Sequence, residues 1–66
     1  MDTYQGTYEE IRRQLRKDTL YHVKYERYEQ AQDLLDILIT LTDKYSNQTK
    51  PLRIINNNKQ YTIEEG

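Results

Sequence analysis

Apolar residues recur at helical spacing through the first two thirds of the chain and give way to strand-like alternation near its end. Tyr8, Ile11 and Leu15 stand at i, i+3, i+7, a narrow stripe for one face of a helix. Just before it, Thr7-Tyr8-Glu9-Glu10 has the form of a capping box. The Thr7 hydroxyl can accept from the Glu10 N–H while the Glu10 carboxylate reaches back to the Thr7 N–H. Glu9 and Arg13 add a pair at i,i+4 in the favourable orientation. This pattern predicts a first helix from about Tyr8 to Lys17. Asp18 or Thr19 can cap a second helix, which would make a helical hairpin with its corner there. Neither Gly nor Pro enforces a break, so one long helix is the alternative.

Farther on, Tyr28, Ala31, Leu35, Leu38, Thr42 and Tyr45 repeat in alternating steps of three and four. That is a heptad seam of the kind that packs helix on helix. Leu34, Ile37 and Leu41 form a second stripe beside it, predicting a helix buried over most of its circumference around residues 34–41. Glu29, Asp33, Asp36, Thr40 and Asp43 supply its polar face. The run Ile37–Thr42 also alternates like a strand, but the helical pattern continues through it to Tyr45.

Ser46 to Pro51 reads as a loop, closed by proline. Leu52–Ile55 and Gln60–Glu64 are short β-prone runs around Asn56-Asn57-Asn58-Lys59, where Asn accommodates a hairpin turn. A lone two-stranded hairpin is marginal in water, so it must lie on the helices, pair with a second copy or extend a partner's sheet. Residues 1–6 read as a frayed polar lead-in. The expectation is a single small domain over residues 1–66. It is mainly α: a helical hairpin, or one long helix, over 7–46, followed by a short C-terminal β-hairpin over 52–64, and oligomeric.

Composition explains the last term. The chain has six Ile, seven Leu and one Val, with no Phe and no Trp. A domain this small buries only about 60% of the surface its unfolded form exposes, and such domains usually recruit a staple. With no Cys and one His, disulfides and thiolate or His-rich metal sites are excluded, which leaves self-association or docking on a partner. The seam residues Leu35, Leu38, Thr42 and Tyr45 are the candidates for self-association.

Charge narrows the partner classes. Ten basic and eleven acidic residues nearly cancel, so no net field draws the chain to nucleic acid or to an anionic membrane. Leu34 to Leu41 is too short to span a bilayer and contains Asp36. The first residues lack the basic and apolar regions of a signal peptide, which suggests a cytoplasmic location.

Catalytic chemistry has little to work with. Phosphate-binding loops, dinucleotide turns and nucleophile elbows need glycines at fixed spacing, and the chain has only Gly6 and Gly66. His22, with Asp18 at i−4 and Glu26 at i+4, lacks a companion nucleophile. The acids at Asp33 and Asp36 lie one turn apart on a polar face rather than across a cleft. No catalytic residue, cofactor or metal ligand is assigned, and the chain is expected not to be an enzyme.

The seven tyrosines are the most unusual feature. Tyr21, Tyr25 and Tyr28 stand at i, i+4, i+7, interleaved with Lys24 and Arg27. Tyrosine combines large contact area with a hydroxyl that tolerates water, and is enriched at interfaces. Tyr28 and Tyr45 fall on the seam and are expected in the core. Tyr21 and Tyr25, with Arg13, Arg16, Lys17 and Lys24, are the expected partner-binding residues. The expected function is a non-catalytic protein–protein interaction module. Small size and AT-rich codon-like usage of Asn, Ile and Tyr suit an inhibitor or adaptor encoded by a phage or other mobile element. The alternative is a small dimeric nucleic-acid-binding regulator. It would lay the basic stripe Arg12, Arg13, Arg16, Lys17, Lys24 and Arg27 along phosphates. A third reading has the C-terminal hairpin adding to a partner's sheet edge.

Overall fold

A computed structural model describes residues 2–57 and 60–65. Among them the elements follow as β1 (Asp2–Gly6), α1 (Tyr8–Lys24), α2 (Tyr28–Tyr45), β2 (Leu52–Asn57) and β3 (Gln60–Glu65). The strands form one antiparallel sheet in the order β1-β2-β3. The helical hairpin and the C-terminal strand pair match the sequence expectation, with Asn57 facing Gln60 in register. Asn58 and Lys59, expected in the turn, lie outside the described residues.

Two expectations are corrected. Residues 2–6 are not a frayed lead-in but an edge strand, with Tyr4 opposite Ile54 and Gly6 opposite Leu52. The C-terminal hairpin gains its third strand from the opposite end of the chain, and that strand together with the helices supplies the support a lone hairpin lacks. The helical corner, in turn, lies at Tyr25–Arg27 rather than at Asp18-Thr19. Both residues proposed as caps there serve other purposes. Thr19 is buried and its hydroxyl donates to the Leu15 carbonyl at 2.7 Å, while the Asp18 carboxylate accepts from the Tyr4 hydroxyl at 2.8 Å.

The start of α1 follows the sequence closely. Thr7 is its N-cap, and both halves of the capping box with Glu10 are present. The strand enters the helix through Gly6, whose φ of +137° is left to glycine. A Cβ there would stand 3.2 Å from the Glu10 Cβ, so the capping glutamate would have to give by a few tenths of an ångström to admit a side chain.

Tyr4, Ile11, Leu15, Leu34, Ile37, Leu41, Leu52 and Ile54 form the core, drawn from both helices and from β1 and β2. Alternation along the sheet turns Tyr4, Ile54 and Ile63 toward the helices, and puts Gln5, Arg53 and Glu64 on the opposite face. There Arg53 and Glu64 pair across the strands at 2.9 Å. In α2 the stripe Ala31, Leu34, Ile37 and Leu41 is the buried one. The heptad seam lies to its side, and the helix is not buried all round: Leu35 and Ile39 are exposed. Tyr61 completes the docking of α2 on β3, its hydroxyl 2.8 Å from that of Thr40.

Candidate interaction surface

The surface is built around the corner between the helices. At the end of α1 the Arg27 N–H donates to the His22 carbonyl at 2.8 Å and the Glu26 N–H to that of Val23 at 3.0 Å. These two bonds define a Schellman motif, which needs a left-handed residue at its penultimate position. Glycine usually fills it; here Glu26 does, with φ at +59°. The next residue, Arg27, is the N-cap of α2 and gives no side-chain capping bond. Two successive positions thus hold residues that are locally unfavourable, since Ser, Thr, Asp or Asn caps a helix far better than Arg.

Arg27 serves the neighbouring rings instead. Its guanidinium lies 5.8 Å from the Tyr21 ring centre and 5.6 Å from that of Tyr25. The two rings are 4.9 Å apart at 58°, and Lys24 stands 5.9 Å from Tyr25. These separations are within cation–π reach. Both tyrosines remain about half exposed, so the cluster presents ring faces and cationic edges to solvent.

Along α1 the cluster extends into a row. Arg13, Lys17, Tyr21 and Tyr25 follow at four-residue steps, which places them one above another on the helix. All are exposed, and a shallow depression lined by Glu10, Arg13, Gln14 and Lys17 opens at the far end. The neighbouring row carries Asp18, held by Tyr4, so this flank of α1 is the one beside β1. Lys24 borders the row, whereas Arg16 belongs to a different one, with Leu20 and Val23. Among the described residues Arg12 pairs with Glu9 at 3.3 Å, and no carboxylate lies within ion-pair distance of Arg13, Arg16, Lys17, Lys24 or Arg27.

Several expected roles change. Tyr28 does not continue the stripe of Tyr21 and Tyr25, because the helix breaks before it; nor is it core, since it is largely exposed. Of the seam, Leu38 and Tyr45 pack against the chain's own core, while Leu35 and Thr42 are exposed. Asp18, one turn before His22, is taken by Tyr4. The His22 ring meets Tyr21 edge-on at 5.7 Å, and its buried Nδ1 has no hydrogen-bond partner among the described residues. Sequence reasoning set Arg27 beside the tyrosines but not among the expected partner-binding residues. The signal that finds it is the adjacency of three ring-and-cation residues to a corner, and the corner was not where the caps suggested.

Among the described residues no group of three or more acidic or histidine side chains is placed to hold a metal ion, and no helix is long and apolar enough to cross a membrane. The chain matches no protein-family model, and no curated protein or solved structure matches it significantly. The geometry of the surface therefore carries the functional argument alone.

Proposed function

We propose that this chain is a non-catalytic interaction module that binds an acidic protein surface through the α1 flank of Tyr21, Tyr25 and Arg27, extended by Arg13, Lys17 and Lys24. One observation carries the reading. The corner keeps an arginine where a capping residue would stabilise α2, and that arginine holds two half-exposed rings together. Departures from local preference concentrate where function requires them. The row is preorganised, because Tyr has only two side-chain torsions and the rings already contact one another. Its cations, which form no close ion pair among the described residues, suit a partner rich in Asp and Glu. A small inhibitor or adaptor, of the kind mobile elements encode, fits such a chain.

The test is capture on the immobilised chain. A partner held by the wild-type protein and lost by Tyr21→Ala/Tyr25→Ala, with the fold retained, supports the reading. If the double variant holds the same partner equally well, the surface is wrong.

The interleaving of cations with stacking-competent rings also favours a second reading, binding to single-stranded nucleic acid. Retention on heparin or oligonucleotide that falls steeply with salt would support it, and no retention at low salt would remove it.

A further inference from the structure

The outer face of the helical hairpin, directed away from the sheet, is unexpectedly apolar. Leu20 and Val23 lie one turn apart on α1, and Tyr28, Leu35 and Ile39 fall on one stripe of α2. All five are between 42% and 65% exposed. Leu20, Tyr28 and Ile39 lie on the sides of their helices away from the buried Ile11, Leu15, Leu34, Ile37 and Leu41, while Val23 and Leu35 stand at the margin, one turn from the buried Thr19 and Ala31. Four of the fourteen aliphatic residues in an aliphatic-poor chain are therefore exposed along the two helices.

We infer that this face is covered by a second copy of the chain, forming a two-fold dimer in which each α1 lies over its partner's α2. The size of the face fits. Five side chains exposing on the order of 100 Å² each reach the upper end of the largest apolar patches on monomers, ~300–600 Å². With its charged rim the face approaches the ~800 Å² per partner of a standard interface, about a sixth of the chain's 4978 Å².

Charge fixes the arrangement. α1 has five basic and three acidic residues, a formal +2, whereas α2 has one basic and four acidic, a formal −3. A two-fold axis parallel to the helices sets Arg16 of one protomer, in the row of Leu20 and Val23, toward the acidic α2 of the other. An axis perpendicular to the helices would place α1 on α1 and α2 on α2, like charge against like. The first geometry yields a four-helix bundle with a sheet on either side, its apolar stripe closed. This inference does not depend on the function proposed for the α1 flank, since Leu20, Leu35 and Ile39 lie outside the Tyr21/Tyr25/Arg27 cluster.

Sedimentation equilibrium of the full chain, from micromolar to millimolar concentration, tests it. The wild-type protein is expected to form a dimer, and Leu20→Glu/Ile39→Glu to stay monomeric with an unchanged helical spectrum. Arg16→Glu and Asp43→Lys should each self-associate about tenfold or more weakly, and should recover dimers when mixed. A wild-type monomer throughout the range would overturn the inference. So would a Leu20→Glu/Ile39→Glu variant that dimerises unchanged. An α1-reversed variant that associates as tightly as wild type would show like helices facing each other and overturn the stated arrangement.

Discussion

The Tyr4 hydroxyl donates to the Asp18 carboxylate at 2.8 Å, tying the first strand to the middle of α1. Tyr4 is also a core residue, opposite Ile54 on the central strand. The N-terminal segment is therefore part of the folding unit, joined by a ladder, a ring and a charge-assisted bond. Removing the hydroxyl in Tyr4→Phe leaves a half-buried carboxylate without that donor and should lower stability by about 1–2 kcal/mol. Tyr4→Ala removes the ring as well and should cost ~3–5 kcal/mol. Chemical denaturation of both variants checks the order; equal, negligible effects would mean that β1 contributes nothing to the fold.

Gly6 should tolerate no side chain. Its φ of +137° and the 3.2 Å approach of Glu10 both act against a Cβ, so Gly6→Ala should destabilise by roughly 1–3 kcal/mol. Thermal unfolding followed by circular dichroism measures it. A neutral result would mean that the entry into α1 rearranges freely.

The capping box should make stability acid-sensitive in a defined direction. Hydrogen bonds from the Thr7 backbone, then from its hydroxyl, hold the Glu10 carboxyl below its ordinary value, with Arg13 assisting and burial opposing. A carboxylate with a lowered folded pKa contributes stability that is fully present above the unfolded value and lost as pH falls through the folded one. Denaturation midpoints should therefore fall on acidification below the usual glutamate range, and less so in Glu10→Gln. Thr7→Ala, which also removes the cap acceptor, should cost ~1 kcal/mol at neutral pH.

Glu26→Gly should stabilise the protein. A non-glycine residue pays for the left-handed conformation by about 1–2 kcal/mol, part of which glycine returns through its larger entropy loss on folding. A net rise in stability of about 1 kcal/mol is expected in thermal unfolding. Destabilisation would indicate that the Glu26 side chain makes a contact of its own.

What the sequence disclosed follows the range of the interactions. The Thr7–Glu10 box was legible because every participant lies within one helical turn, and the helix through residues 34–41 because its periodicity is strong. Its orientation was not legible. Two adjacent stripes, Leu34/Ile37/Leu41 and Leu35/Leu38/Thr42/Tyr45, are both apolar enough to be buried, and packing against α1 and the sheet decides which is covered. The corner was hidden because Glu26 stands where glycine would announce a helix end, while Asp18 and Thr19 resemble caps but are engaged by Tyr4 and Leu15. β1 was hidden because a five-residue segment with Tyr4 as its one large apolar residue carries almost no alternation; its strand conformation comes from β2. The adjacency of Tyr21 and Tyr25 was legible from their spacing, whereas the approach of Arg27 to both rings depends on the corner.

The most direct test of the binding surface is the substitution Arg27→Asn, measured for stability and partner capture together. Asn is a better N-cap by about 1 kcal/mol, which offsets the loss of two cation–π contacts at ~0.5–1 kcal/mol each, so stability should change little. A folded protein of near wild-type stability that loses the partner retained by wild type is the predicted result. A variant that keeps the partner undiminished would contradict the assignment of this corner as the binding surface.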